Sequence, residues 1–266
     1  MNEQPTVRLL AVALLLGGCN PSCNYETEAP LRGEPQEGAA MGQDPAEARQ
    51  NDQDEDRFSR ERKRLVAELE ADGIDDLRVL EALGAVPRHE LVPEAFRAFS
   101  YENRPLPIGE EQTISQPYIV ALMTQLAKID RKDKVLEVGT GSGYQSAVLS
   151  QLCDEVYTIE IIESLGERAK RDLTRLGLSK NIHFRIGDGF AGWPEEAPFD
   201  AILVTAAPKE VPAPLETQLA EGGRLVIPVG AVYQNLRVLE KVDGRLVELG
   251  MTPVRFVPMT GKAQEL

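Results

Sequence analysis

From Asp133 onward, short apolar runs alternate with helical stretches, and this alternation restricts the chain to a parallel sheet joined by crossover helices. Strands are expected near residues 134–139 (KVLEVG), 155–160 (EVYTIE), 182–187 (IHFRIG), 199–205 (FDAILVT) and 224–230 (RLVIPVG). Helices fit between them at about 144–152, 163–176 and 212–220. Two more β-rich stretches, 236–242 and 246–257, end the chain. The expected architecture is an α/β fold: a doubly wound, mostly parallel seven-stranded sheet with helices on both faces.

Ahead of the sheet, Phe58, Leu65, Val66 and Leu69 share one helical face, and Ile74, Leu77, Leu80 and Leu83 repeat the pattern. Two amphipathic N-terminal helices are expected, with the basic run at residues 57–64 as a solvated face. Residues 57–266 suit one folded domain. Residues 20–56 differ in composition. Ten acidic residues lie between Glu26 and Asp56, against Arg32 and Arg49, and residues 24–56 contain no Ile, Val, Phe or Trp. Such a stretch buries too little to offset its ordering entropy, so a disordered acidic linker is expected. Residues 1–19 contain LLAVALLL (9–16) followed by Gly17, Gly18 and Cys19, the order of an apolar signal core ending in small residues. The run is too short to span a bilayer. LGGC resembles a bacterial lipobox in which Cys19 would be lipidated. A frayed apolar terminus is the competing reading, because Glu3 opposes Arg8 in the leader.

Charge and cysteine usage exclude several function classes. Lys and Arg number 29 against 43 Asp and Glu, giving −14, which repels nucleic acid. Cys19, Cys23 and Cys153 form no disulfide framework, and no zinc-like spacing joins them to His89 or His183, so no metal is expected. Cys153 reads as a small buried residue, and both histidines read as structural.

The strand ends carry the chemistry. In open α/β sheets ligands bind beyond the carboxyl ends of the strands. The first strand ends in Glu137 and runs into Gly139-Thr140-Gly141-Ser142-Gly143, a turn that permits close backbone approach before a helix N-terminus. The second ends in Glu160, which can accept hydrogen bonds from both hydroxyls of a ribose. The third ends in Gly187-Asp188-Gly189, placing a carboxylate where an adenine amine would lie. Any one of these acids could be an exposed loop residue; their recurrence at successive strand ends describes a nucleoside pocket. The loop is not GxGxxG, and neither a Tyr-x-x-x-Lys pair nor a triphosphate-binding GxxxxGK[ST] loop occurs, so S-adenosylmethionine fits better than a dinucleotide or ATP.

At this point the chain resembles the protein-L-isoaspartate O-methyltransferases of the class I, Rossmann-like fold. The resemblance rests on LEVGTGSGY (136–144), VPR (86–88), LPIGEEQTISQPYIVA (106–121), GDG (187–189), FDAILVTAA (199–207), EGGRLVIPVG (221–230) and RFVP (255–258). It implies methyl transfer from S-adenosylmethionine to the free carboxylate of isoaspartyl residues in damaged proteins and peptides. It implies Ser115 as the active-site residue, with Thr113 and Ile114 joining Glu137, Gly139, Thr140, Gly141, Ser142, Gly143, Glu160, Asp188 and Gly189 at the donor. Ile108, Gln116, Arg255 and Val257 are its expected substrate contacts, and the segment from Pro107 to Gln116 is expected to close as a loop over both ligands. Ser115 also suits the N-cap of a helix beginning at Pro117, and Arg255 also suits a surface ion pair. The family expectation is a monomer in the cytoplasm, where S-adenosylmethionine is made; membrane association would follow only from lipidation of Cys19. A methyltransferase with another substrate, and a non-catalytic envelope lipoprotein, are the competing functions.

Overall fold

The computed structural model describes residues 45–265, with side chains from residue 56 onward. The leader, Cys19 and residues 20–44 of the acidic segment lie outside the described residues. The described chain opens with α1, Pro45–Ala71, which buries Phe58, Leu65 and Leu69 along one stripe. The helix begins ahead of the expected boundary at Arg57, inside the segment expected to be disordered. Residues 45–56 lack apolar periodicity, but Ala, Glu, Gln and Arg are good helix formers and Pro is tolerated in a first turn. The next helix, α2, spans Leu77–Ala85 and is capped by the Asp76 carboxylate, which accepts from Arg78 N at 3.0 Å. Here the expected face shifts. Ile74 is buried in the turn before the helix, Leu77 is 65% exposed, and Val79, Leu80, Ala82 and Leu83 face the core.

Residues expected to form a closing loop instead form a two-stranded antiparallel ribbon, β1 (Leu106–Gly109) and β2 (Gln112–Ile114). Glu110 and Glu111 turn it, both at positive φ (53° and 56°), the conformation of a type I′ hairpin. The ribbon leads through Ser115 into α3, Pro117–Ala127.

The main sheet follows the expected alternation closely. It contains β3 (Lys134–Val138), β4 (Glu155–Glu160), β5 (Ile182–Ile186), β6 (Phe199–Val204), β7 (Leu219–Val229), β8 (Gln234–Val242) and β9 (Arg245–Val254). Their order is β5-β4-β3-β6-β7-β8-β9, parallel through β7 and antiparallel for the last two. α4 (Tyr144–Leu152), α5 (Glu163–Arg175) and α6 (Ala213–Gln218) link the parallel strands. β7 starts earlier than expected because its register against β6 shifts between Phe199 and Ala201. Alternate strand residues feed two cores, as a sheet covered on both faces requires. Val135, Val156, Leu203 and Val226 pack under α1 to α5, whereas Leu136, Ile159, Ile202 and Ile227 pack with α6 and the C-terminal turn Gly261–Gln264.

Strand order reverses between β3 and β6, so the crevice at their carboxyl ends is where a ligand is expected. Because Leu69 is fully buried, Leu69→Ala is expected to destabilise the protein by about 2–5 kcal/mol. Urea unfolding checks this, and the Michaelis constant for the methyl donor should not move.

Candidate active site

A cleft opens at the carboxyl ends of β3, β4 and β6. Its floor is the glycine loop, and the loop's three glycines serve different ends. Gly139, at φ 100°, lies so close to β6 that a Cβ there would stand 2.3 Å from Thr205 Oγ1, which donates to the Gly139 carbonyl at 2.7 Å. Gly141 adopts φ 54° and borders the cleft. Gly143, at φ 81°, faces away, where a Cβ would stand 2.9 Å from Leu173 Cδ1 of α5. Thr140 and Ser142 also line the cleft; Ser142 Oγ accepts from Tyr144 N at 3.2 Å, holding the start of α4.

Two glutamates hold this floor, Glu160 beside the loop and Glu137 beneath it. Glu160 accepts from Gly141 N through Oε2 at 2.8 Å and from Ile162 N through Oε1 at 2.9 Å. Each carboxylate oxygen has a second lone pair, so the group that shapes the loop retains acceptor capacity for a ribose. Glu137 is fully buried and takes hydrogen bonds on Oε2 from Ser146 and Thr158, the latter at 2.7 Å. Its Oε1 has no partner among the described residues. Burial pushes the Glu137 carboxyl up to about 8, against the two hydroxyl donors, which favour the anion. A buried acceptor without a donor is costly, and a ligand carrying a cationic donor group would satisfy it. The residues therefore fit S-adenosylmethionine, which bears a sulfonium, an ammonium and a ribose.

The opposite walls come from distant segments. Gln112, Thr113, Ile114 and Ser115 of the ribbon form one, and residues 257–260 form the other. Gln116, not Ser115, is the N-cap of α3, and its side chain donates to Asn103 O at 2.9 Å, so the Ser115 hydroxyl is not spent on the helix end. Val257 lines the cleft; Arg255 is exposed nearby on the same segment.

Several assigned residues are placed otherwise than expected: Gly143 faces α5, and the Gln116 side chain is turned to Asn103 O. The Asp188 carboxylate does not line the cleft: Oδ1 accepts from Phe190 N and Oδ2 from Lys262 N, both at 2.9 Å. It fastens the C-terminal turn, and the neighbouring Gly189 forms the wall instead. Ile108 is fully buried beneath the loop, 3.6 Å from where a Gly141 Cβ would sit, and is core packing for the ribbon.

The cleft also includes residues that the sequence motifs did not single out. Thr205 and Ala206 follow β6, so the strand-end rule extended by one strand would have found them. Ile161 and Ile162 follow Glu160 and give the nucleoside end an apolar surface. Met259 and Thr260 reach the cleft because Ala207 bonds Val257 O and Met259 N, each at 2.8 Å, which no local signal announces.

Both glutamates yield tests. Glu160→Ala is expected to raise the Michaelis constant for the methyl donor roughly 10- to 100-fold, through loss of charge-assisted hydrogen bonds. Steady-state kinetics check this. Glu137 has a folded-state pKa above its unfolded value of 4.5, so its stabilising contribution is complete below about 4.5 and is lost as pH rises through about 8. The thermal midpoint of the ligand-free protein should fall over that window, and Glu137→Gln should flatten the fall.

Comparison with known proteins identifies the family. Residues 60–264 match the family model for protein-L-isoaspartate(D-aspartate) O-methyltransferase. A protein-L-isoaspartate O-methyltransferase of Opitutus terrae is 55% identical over 203 residues, covering 75% of this chain and 87% of that one. A second, from a Polaromonas species, is 57% identical over 190 residues, covering 70% and 90%. A solved protein-L-isoaspartate O-methyltransferase superposes with a TM-score of 0.70 at 34% identity, covering 76% of this chain and 67% of that one. A Plasmodium falciparum structure described as a protein-L-isoaspartate O-methyltransferase in complex with S-adenosyl-L-homocysteine gives 0.67 at 26% identity, covering 75% and 98%. With its fold, its glycine loop and the TISQP ribbon all in place, the chain belongs to the protein-L-isoaspartate(D-aspartate) O-methyltransferase family.

Proposed function

We propose that the chain methylates the free carboxylate of L-isoaspartyl residues in damaged proteins, with Ser115 holding that carboxylate. The observation that carries this assignment is the position of Ser115: it borders the same cleft as Glu137, Gly139 and Thr205, with its hydroxyl free of the α3 cap. Bound S-adenosylmethionine supplies an activated methyl carbon. The chain's own residues then have three tasks: to hold the donor, to hold the acceptor carboxylate in line with it, and to exclude water. Glu160, the glycine loop and Glu137 serve the first. The Ser115 hydroxyl serves the second by donating a hydrogen bond to one carboxylate oxygen. The ribbon and residues 257–260 serve the third.

No strong base is required, because an acceptor carboxylate is already an anion at neutral pH. The described residues agree with that economy. Neither histidine lines the cleft: His89 stacks on Phe58 with centroids 4.2 Å apart and shares a 2.8 Å hydrogen bond with the Tyr101 hydroxyl, and His183 stacks on Tyr157. Cys153 is buried, with its thiol pushed up to about 12 by burial, and is no nucleophile.

This reading places the working enzyme in the cytoplasm, with its donor, and treats it as a monomer. No described helix is long and apolar enough to cross a membrane. Palmitate labelling of the full chain tests the location, since label on Cys19 would move the protein to the envelope.

Radiolabelled methyl should pass to a peptide with L-isoaspartate and not to its aspartyl twin; incorporation into neither overturns the substrate. Ser115→Ala should lower turnover about 10- to 100-fold while leaving the Michaelis constant for S-adenosylmethionine nearly unchanged. A loss confined to folding stability would reduce Ser115 to a structural residue.

A further inference from the structure

The two most exposed large apolar residues of the described chain are neighbours, Val232 at 87% and Tyr233 at 90%. They occupy the tip of the turn between β7 and β8, and that turn is tightly built. Gly230 lies at φ 129°, where a Cβ would stand 2.0 Å from Tyr233 O. Gly230 N donates to Pro208 O at 2.9 Å. Gln234, the next residue after Tyr233, clasps the backbone of Phe256: Nε2 donates to Phe256 O at 3.1 Å, and Phe256 N donates to Oε1 at 2.6 Å. Phe256 is followed by Val257, which lines the cleft. The exposed pair is thus fixed to the segment that walls the site.

Its direction from the donor is also determined. Glu160 and Gly189, beyond β4 and β5, mark the nucleoside end of the cleft, and Thr205 and Ala206, beyond β6, mark the other. β7 lies outside β6 and runs parallel to it, so its carboxyl end and the 230–234 turn stand on the same edge of the sheet. Between that turn and the cleft lie residues 207–208 and 256–258, to which the turn is joined by the Gly230–Pro208 and Gln234–Phe256 hydrogen bonds. Val232 and Tyr233 are adjacent and almost fully exposed on that edge, so together they offer an apolar surface to whatever enters the cleft from it.

We propose that Val232 and Tyr233 form a docking shelf for an apolar side chain flanking the isoaspartyl residue of the polypeptide substrate. The proposal rests on the isoaspartyl reading and adds a sequence preference to it. Tyrosine suits the role, because it offers a broad contact surface at a small cost in conformational freedom.

The test uses two isoaspartyl peptides that differ only in the neighbours of the modified residue, leucine in one and serine in the other. Wild-type enzyme should show a Michaelis constant about 5-fold lower for the leucine-flanked peptide, the scale expected for partial burial of one apolar side chain. The double variant Val232→Ser, Tyr233→Ser should erase that difference without changing turnover or the constant for S-adenosylmethionine. Tyr233→Phe should retain the preference. Leu249→Ser, on the exposed face of β9 and about 16 Å of strand away from its site end, should retain it too. Equal constants for the two peptides with wild-type enzyme, or a preference that survives in the double variant, overturn the proposal. Methylation of neither peptide instead overturns the isoaspartyl reading on which it rests.

Discussion

The Glu160 carboxylate is the interaction on which the site depends. Standing at the end of β4, it bonds the amides of Gly141 and Ile162, and so joins the loop after one strand to the turn after the next. Backbone donors that face a ligand would otherwise have to be oriented by the ligand itself. Here a buried, charge-assisted pair orients the loop beforehand, each bond being worth about 1.5–3 kcal/mol. α5 is shaped to permit it: Gly166 lies where a Cβ would stand 3.2 Å from Glu160 Cβ and 2.4 Å from Ile186 Cδ1. Glu137 acts one layer below. Its hydrogen bonds from Ser146 of α4 and Thr158 of β4 draw those elements to β3, and Thr140 Oγ1 shares a 2.7 Å hydrogen bond with Thr158 Oγ1.

Legibility followed the length and regularity of the burial pattern. β4 (Glu155–Glu160) and α4 (Tyr144–Leu152) match expectation to the residue, because buried parallel strands are continuous apolar runs and α4 sits between unmistakable turns. The β1–β2 ribbon was not legible. Its strands have four and three residues, and its turn is Glu110-Glu111 where a type I′ turn favours Asn and Gly. The start of α1 was hidden for the opposite reason: residues 45–56 have helix propensity without an apolar stripe. In the site, motifs named the residues at the strand ends, but not where each carboxylate points. Glu160 borders the cleft, whereas Asp188, in an equally convincing GDG, turns to the amides of Phe190 and Lys262. That choice is made by the C-terminal turn, whose Gly261 (φ 75°) would place a Cβ 2.6 Å from Asp188 Oδ2. Contacts over such sequence distances leave no local periodicity.

The electrostatics suit a reaction that joins an anion to a sulfonium. Charge disappears as the new bond forms, so a strongly polar reaction centre would favour the separated reactants. On the proposed reading the carboxylates stand away from the meeting point: Glu160 at the ribose end, and Glu137 below the loop, where burial pushes its carboxyl up to about 8 and favours the neutral form. Where the proposed function puts the acceptor, the cleft is lined by a hydroxyl, Ser115, and the apolar Val257. A neutral donor can orient a carboxylate without pairing it so strongly that its nucleophilicity is lost.

The two halves of the cleft are built in different ways, and the difference follows from what each must bind. The donor half is fixed by backbone groups held in half-buried hydrogen bonds: Gly139 by Thr205, and Gly141 and Ile162 by Glu160. Such a frame recognises one molecule, always the same, and loses little entropy on binding it. The acceptor is a carboxylate embedded in sequences that vary from one damaged protein to the next. A rigid frame of buried polar groups would reject most of them, because each unmatched donor or acceptor would be stranded without water. On the proposed reading the acceptor side instead offers the Ser115 hydroxyl for the invariant carboxylate, with Arg255, Val232 and Tyr233 in solvent, where a mismatched neighbour remains hydrated. Selectivity for the lesion, on that reading, resides in Ser115 and the shape of the cleft, and tolerance for its surroundings resides in exposed side chains outside it.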